Sequence, residues 1–169
     1  TLFLQEVTSI LSLKFQDRGG KLIAISGSNG KTTTKEMLFH ILYGVNPETI
    51  CTLKNNNNHI GVPLTLLQIK NETKYAILEL GSNHPGEIKT LCNIAKPRVG
   101  ITTNIGDTHL EFFDNRENVF KEEGYLCEYI LNNVSSNSLV FINQDDEYLN
   151  QYSKKEKTLS FGNDGLDYK

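Results

Sequence analysis

The chain has 169 residues, of which 38% are hydrophobic and 22% are charged, and its formal net charge is -3. This length and balance predict one globular domain with a buried core. The charge excludes a broad basic surface, so we expect neither nucleic acid nor a membrane as a partner. No apolar run approaches the ~20 residues that span a bilayer, and Gln5 and Glu6 interrupt the apolar start, which argues against a signal peptide. Widely spaced cysteines form no disulfide or metal pattern, so we expect a cytoplasmic protein.

Helical and strand-like segments alternate along the chain. The first predicts an amphipathic helix with its apolar residues on one face: Leu2, Phe3, Val7, Ile10, Leu11 and Leu13. Short apolar runs predict buried strands, in the order KLIAIS, TICTL, YAILELG, RVGITT, SLVFIN and KTLSF. Helices are predicted between them, at TTTKEMLFHILYG, HIGVPLTLLQI, GEIKTLCNIA, about Arg116 to Asn132, and DDEYLNQY. The alternation predicts an α/β fold, a mostly parallel sheet with helices on both faces.

The loop after the first predicted strand has the composition of a phosphate-binding loop. It reads ISGSNGKTTT, although the usual pattern G-x-x-x-x-G-K-[ST] would need a glycine where Ile25 stands. Gly27 and Gly30 permit turns that bring backbone N–H groups inward, and the next helix directs its partly positive N-terminus to the same point. Lys31 adds a charge suited to terminal phosphates, and the Thr32 hydroxyl can bind Mg²⁺. The simpler alternative is a tight strand-to-helix turn with a chance Gly-Lys-Thr.

Polar residues also stand at the ends of other predicted strands. Because ligands of open α/β sheets bind beyond the carboxyl ends of the strands, we expect these residues to converge on the loop. Glu79 ends the third strand, where an unpaired acid is costly to bury; we predict a Mg²⁺ ligand, with an exposed strand end as the alternative. Asn104 ends the fourth strand, and His109 follows it with a predicted metal or phosphate role. Asn57 and Asn58 could contact phosphate, or one of them could cap the helix that begins near Gly61.

Four segments together resemble the Mur ligase family: AISGSNGKTTTKEM, NNHIGVPLTLL, LELGSNHPGEI and ITTNIGDTHLEFF. The family's phosphate loop has the short form G-[ST]-N-G-K-T-T, which Gly27–Thr33 fit in full. The resemblance implies a P-loop-containing central domain that binds ATP and Mg²⁺. It also implies amide formation, in which a substrate carboxylate takes the γ-phosphate to form an acyl phosphate that an amine then displaces. The second and third segments favour the member that joins D-alanyl-D-alanine to a UDP-N-acetylmuramoyl tripeptide in peptidoglycan precursor synthesis.

The resemblance implies roles for individual residues. The residues that would contact ATP are Gly27, Ser28, Asn29, Gly30, Lys31, Thr32, Thr33, Asn58 and Asn104. Lys31 would hold the β- and γ-phosphates, while Thr32 and Glu79 would hold the first Mg²⁺. His109 would help to hold a second Mg²⁺, with Asn104 nearby. Lys31 and His109 are therefore catalytic candidates.

One helix departs from the family pattern. In most of the family a carbamylated lysine on the helix after the histidine loop binds the second metal, and alignment places Glu123 at that position. Lys121 is a poor substitute, because at about 100° per residue it lies on nearly the opposite helix face. The family's usual acid two positions later is Tyr125 here. Glu123 supplies a carboxylate on a shorter arm, so it is the third catalytic candidate. Two alternatives stay open: Glu123 binds the second metal through water, or the second metal site is weak.

Residues 1–169 match only one of the family's three domains, without the UDP-sugar domain, the C-terminal domain and the family's Gly-x-His-Asn-x-x-Asn segment. We expect a monomer that binds phosphates and Mg²⁺ but does not complete a ligation alone. The alternative is a nucleotide-binding or interaction module that has lost ligase activity, as Glu123 and Tyr125 suggest. Flanking domains in the parent gene would favour the first interpretation, and a stop codon soon after Lys169 the second. A third interpretation is a doubly wound domain without a nucleotide site. It would require that the four family motifs occur in the right order by chance.

Overall fold

The computed structural model of the chain describes residues 1–108, 110–133, 135 and 137–163. The helices in this part of the chain are α1 (Leu2–Asp17), α2 (Lys31–Val45), α3 (Gly61–Leu66), α4 (Glu87–Ala95), α5 (Leu110–Phe113), α6 (Arg116–Glu123) and α7 (Tyr125–Asn132). The strands are β1 (Lys21–Ser26), β2 (Ile50–Cys51), β3 (Tyr75–Glu79), β4 (Val99–Thr102), β5 (Leu139–Asn143) and β6 (Thr158–Phe161), and a 3₁₀ helix spans Leu149–Tyr152. The strands form one sheet in the order β2-β3-β1-β4-β5-β6, with every neighbouring pair parallel. The predicted α/β fold is confirmed.

The strand order determines which face each helix covers. From β1 the chain moves to β2 at one edge, and every later step along the sheet runs in the opposite direction. Because crossovers between parallel strands are right-handed, α2 lies on one face and the later helices lie on the other. Ile25, Cys51 and Ile77 form a small apolar cluster with α2, whereas the larger core occupies the opposite face. Helices therefore cover both faces, as predicted, but very unequally.

The three strands expected to carry the site lie side by side. In the sheet β1 stands between β3 and β4, so that Ile25 pairs with Glu79 and Ser26 pairs with Thr102. A hydrogen bond of 2.9 Å from Gly81 N to Asn57 O holds the polar segment before α3 at the end of β3. The carboxyl ends of the three strands therefore meet at one edge, which confirms that these polar segments converge.

Helix α1 packs through a face that is polar except for Phe15, so the predicted apolar face was wrong. Its buried residues are Thr8, Ser12, Phe15 and Gln16, whereas Phe3 is 79% exposed. The Ser12 hydroxyl donates to Ala95 O, and Gln16 Nε2 donates to Lys96 O at 2.9 Å. These carbonyls lie at the end of α4, where backbone acceptors lack partners within the helix. The hydrogen bonds to α4 therefore decide which side of α1 faces the core.

Two predicted helices differ in their bounds. The helix predicted from Arg116 to Asn132 consists of α6 and α7, which meet at Gly124. A Cβ at Gly124 would lie 2.6 Å from Phe120 O, so this junction has no room for a side chain. Helix α2 continues through Gly44 instead of ending there.

Two expectations from composition can be compared with the described residues. Cys51, Cys92 and Cys127 are free and buried, which agrees with the absence of a disulfide pattern. No helix in the described part of the chain is both long enough and apolar enough to cross a membrane.

Candidate functional site

The loop between β1 and α2 depends on two glycines with a positive φ. The angle is 117° at Gly27 and 82° at Gly30, in a region that residues with side chains rarely adopt. A Cβ at Gly27 would collide with the Thr103 side chain and stand 2.9 Å from Thr103 N. Gly30 has open space around it and forms the N-cap of α2. The loop therefore turns tightly against the end of β4 before the helix begins.

The segment after β4 braces the loop through hydrogen bonds. Ser28 N donates to Asn104 O at 2.9 Å, and Asn29 N donates to Asn104 Oδ1 at 3.2 Å. Thr103 Oγ1 and Asn104 Nδ2 both donate to Asn29 O, at 2.7 Å and 3.2 Å. Asn104 therefore lies at the loop, as predicted, and its amide is engaged with the loop backbone.

Helix α2 presents its N-terminus at this loop. Lys31, Thr32 and Thr33 form its first turn, in which both threonines are exposed. The N–H groups of a first helical turn have no acceptor within the helix, and the helix dipole adds partial positive charge there. A glycine-rich loop that leads into such a helix end is a geometry that binds anions, phosphate in particular.

Lys31 and Glu123 meet at the loop. Lys31 Nζ donates to Gly27 O and, at 3.3 Å, to Ser28 O, and it lies 3.7 Å from Glu123 Oε1. Glu123 Oε2 accepts a hydrogen bond of 2.8 Å from Gly27 N. Burial raises the pKa of Glu123 to about 7, although the Lys31 charge and the Gly27 hydrogen bond act in the opposite direction. The structure thus brings two of the predicted catalytic residues into contact.

Glu79 is buried at the end of β3, with only 4% of its surface exposed. Its Oε1 accepts a hydrogen bond of 3.1 Å from Asn57 Nδ2. Its Oε2 has no hydrogen-bond partner among the described residues, and the nearest charge is Lys35 Nζ at 3.8 Å. A buried carboxylate oxygen without a partner is costly. A bound cation would supply that partner, which supports the predicted role of Glu79.

Lys35 is a site residue that sequence analysis missed. Its side chain is 1% exposed, and its Nζ donates to Thr52 O at 2.9 Å. The same nitrogen lies 2.9 Å from Glu36 Oε1 and 3.8 Å from Glu79 Oε2. A lysine is buried only with such partners. The available signal was its position one helical turn after Lys31, on the same side of α2.

The donors at this edge suit one magnesium ion. Glu79 Oε2 and the Thr32 hydroxyl are oxygen donors of the kind that Mg²⁺ takes together with waters and substrate phosphates. Within the described residues no group of three or more His, Cys, Asp and Glu side chains could hold a metal by itself. His109, predicted to hold a second Mg²⁺, lies outside the described residues. The described donors therefore fit an ion that keeps several waters and shares a phosphate oxygen.

Asn58 lies two residues before Ile60, the N-cap of α3, and its side chain partners backbone N–H groups at the start of the helix. Its Oδ1 accepts hydrogen bonds of 3.0 Å from both Ile60 N and Gly61 N, which is the capping alternative that the sequence left open. Its neighbour Asn57 makes the contact with Glu79. Contact between Asn58 and phosphate stays a prediction.

Other residues of α6 and α7 lie away from the loop. Lys121 Nζ pairs with Glu117 Oε1 at 3.1 Å on the exposed side of α6, as expected for the opposite helix face. Tyr125 opens α7, where its ring lies 6.4 Å from the Tyr129 ring. These contacts of the two side chains are therefore with neighbours on their own helices.

Two cavities border the side of the sheet that carries α2. One of about 670 Å³ follows the strands and is lined by Ile23, Leu38, Leu42, Ile101 and Phe141, among others. The other, of about 360 Å³, touches the loop at Asn29 and Gly30 and is lined also by Phe141 and Phe161. The larger cavity is mostly apolar and lies away from the polar strand ends. We therefore assign the site to the loop, with the smaller groove beside it.

Comparison with protein families matches residues 25–168 to the Mur ligase middle domain. A UDP-N-acetylmuramoyl-tripeptide--D-alanyl-D-alanine ligase from Buchnera aphidicola is 43% identical over 137 residues, which cover 81% of this chain and 29% of that protein. The ligase of the same name from Escherichia coli is 37% identical over 134 residues, which cover 79% of this chain and 28% of that protein.

Solved structures of related proteins share the fold over nearly the whole chain. MurF from Acinetobacter baumannii matches with a TM-score of 0.83 and 35% identity, over 95% of this chain and 35% of that chain. MurF ligase from Thermotoga maritima, solved in complex with ADP, matches with a TM-score of 0.79 and 31% identity. The match covers 97% of this chain and 38% of that chain. The chain thus spans about a third of the length of the relatives that it matches.

Proposed function

This chain belongs to the Mur ligase family, and we propose that it is the ATP-binding middle domain of a ligase that joins D-alanyl-D-alanine to a UDP-N-acetylmuramoyl tripeptide. The observation that carries the proposal is the loop Gly27–Thr33, which leads from β1 into the N-terminus of α2 beside the buried Glu79. The names of the most similar relatives support the two substrates. Since the chain spans about a third of those relatives, the complete reaction is proposed for a longer protein.

Each group at the loop has a proposed role. Lys31 and the N–H groups at the start of α2 bind the β- and γ-phosphates, within the turn formed by Gly27–Gly30 and Thr33. Thr32 and Glu79 hold one Mg²⁺, which, when bound, neutralises charge where the substrate carboxylate meets the γ-phosphate. His109 is proposed as a ligand of a second Mg²⁺, from the family resemblance alone.

The proposal also covers the setting of the reaction. Residues 1–169 act as one ATP-binding domain of a monomeric cytoplasmic enzyme, and the tripeptide and dipeptide substrates bind with the help of further domains. The three free cysteines agree with a reducing compartment. The isolated chain binds nucleotide and does not ligate.

Calorimetric titration of the chain with ADP and with a non-hydrolysable ATP analogue, each with and without Mg²⁺, tests the proposal. We expect binding that strengthens when Mg²⁺ is present. If neither the folded chain nor a longer protein that contains it binds either nucleotide, the proposal is wrong. The chain is then better interpreted as an interaction module that has lost ligase activity.

Lys31→Ala should weaken nucleotide binding about 100-fold, because a charged donor to phosphate is lost. The fold should survive, since Lys31 lies at a partly exposed junction between loop and helix. Lys121→Ala is the matched control: it also removes an ion-paired lysine, but on the exposed side of α6. Calorimetry on both variants checks this, and unchanged affinity in Lys31→Ala would contradict the placement of the phosphates.

A further inference from the structure

We propose that Glu123 is a positioning residue that holds the loop Gly27–Gly30 and the Lys31 side chain in place and competes with phosphate for Lys31. The inference deepens the proposed function and rests on it, because it concerns the occupancy of the same loop. It differs from a role in binding the second metal, which the family resemblance suggested for this position.

The end of α6 is attached to the loop at three points. Glu123 Oε2 accepts the Gly27 N–H at 2.8 Å, and Glu123 Oε1 lies 3.7 Å from Lys31 Nζ. The backbone carbonyl of Glu123 accepts the Ser26 hydroxyl at 2.9 Å. One residue of α6 thus contacts the last residue of β1, the first loop glycine and the phosphate-binding lysine.

The lysine is folded back in this arrangement. Besides Glu123, its Nζ contacts Gly27 O and Ser28 O, and its side chain is only 17% exposed. A phosphate that binds Lys31 therefore shares the three N–H donors of the ammonium group with these carbonyls and competes with Glu123 for its charge. Above its pKa of about 7 Glu123 is ionised, and because the side chain is almost fully buried, its negative charge then acts through a medium of low dielectric and is poorly screened.

A carboxylate in this position opposes anion binding in two ways. It lowers the net positive charge that Lys31 offers to a phosphate, and it repels the phosphate directly. A metal ligand would have a different effect, because its removal would weaken only the binding that depends on Mg²⁺. Metal-free binding of an anion therefore separates the two roles.

Glu122 provides a matched control next to Glu123. It too is buried, but its oxygens accept hydrogen bonds from Gly86 N at 2.6 Å, Ile88 N at 2.7 Å and Ser82 Oγ at 2.8 Å. These contacts tie α6 to the start of α4 and do not involve the loop. Glu122→Gln removes an equivalent buried charge without touching Lys31.

The test compares Glu123→Gln and Glu122→Gln with the parent chain at about pH 8.5, above the pKa of about 7 of Glu123, so that the parent carries the charge that glutamine removes. Each protein is titrated calorimetrically with inorganic tripolyphosphate in the absence of Mg²⁺ and with ADP in its presence. Glutamine keeps an oxygen that can accept the Gly27 N–H but removes the negative charge. We expect roughly tenfold tighter binding in Glu123→Gln, and a change within about twofold in Glu122→Gln. Circular dichroism monitors the fold. Should Glu123→Gln not fold, Glu123→Ala serves instead and should also bind tripolyphosphate more tightly than the parent.

The outcomes separate this inference from the proposed function. If the parent binds tripolyphosphate and the Glu123 variants bind it equally or more weakly, the inference is overturned while the nucleotide site stands. If the variants lose affinity only for ADP with Mg²⁺, Glu123 is a metal ligand and the inference is again overturned. If neither the parent chain nor a longer protein that contains it binds tripolyphosphate or ADP with Mg²⁺, the proposed function fails, and the inference fails with it.

Discussion

At the scale of single residues, Gly27 is the point at which the loop tolerates least change. Its φ is 117°, and a Cβ there would collide with Thr103, on the segment that braces the loop. Gly30 has a positive φ as well, but a Cβ at that position would meet no heavy atom within 4 Å. A side chain at Gly30 would therefore cost only backbone strain, whereas a side chain at Gly27 would cost strain and a steric collision.

Gly27→Ala should lower the free energy of unfolding by about 2 kcal/mol or more and weaken ADP binding, because strain and collision add. Gly30→Ala should cost only about 1 kcal/mol, from conformation alone. Urea unfolding of both variants measures the two costs. Equal losses would show that the contact with Thr103 does not constrain the loop.

At the scale of secondary-structure elements, α1 shows that hydrogen bonds can outweigh apolar periodicity. Gln16 Nε2 donates to Lys96 O at 2.9 Å, and Gln16 Oε1 accepts the Arg98 N–H at 3.2 Å. One buried side chain thus serves both backbone groups of the turn between α4 and β4. Ile10, on the apolar face expected to be buried, is 54% exposed.

Gln16→Ala should therefore destabilise the chain by about 2 kcal/mol, because two backbone groups lose their partner. Ile10→Ala should change the free energy of unfolding by less than about 0.5 kcal/mol, as exposed positions do. Thermal and urea unfolding of the two variants provide the comparison. The reverse order of losses would mean that the apolar face of α1 is the packed one.

At the scale of the whole molecule, the site draws on segments that are distant in sequence. The loop after β1, the end of β3, the segment after β4 and the end of α6 all come together at one edge of the sheet. A ligand that bridges these segments binds only the folded chain, so its binding free energy adds to stability.

ADP with Mg²⁺ at about 100 times its dissociation constant should raise the free energy of unfolding by about 2.7 kcal/mol. For a chain of this length that corresponds to a rise in Tm of roughly 5–10 °C. Differential scanning fluorimetry measures the shift, with Lys31→Ala as the control that should show little of it. The same rise in that variant would point to ligand binding at another place.

The sequence by itself determined the order of the strands, the parallel α/β fold and the glycine-rich loop between β1 and α2. These depend on local features: apolar runs of strand length, helical periodicity, and glycines and a lysine next to one another between β1 and α2. The strand-end rule was also sufficient to bring Glu79 and Asn104 to the loop, because it needs only the order of strands and helices.

Only the tertiary structure decided how these residues are partnered. Glu123 contacts Gly27 across 96 positions of sequence, Ser12 contacts Ala95 across 83, and the burial of Lys35 depends on Thr52. No local sequence pattern predicts such pairs. Each pair forms because the packing of helices on the sheet removes particular backbone and charged groups from water, and those groups then need a partner within the protein. Thus a motif located the glycine-rich loop at the start of α2, while packing decided which side chains hold that loop in place.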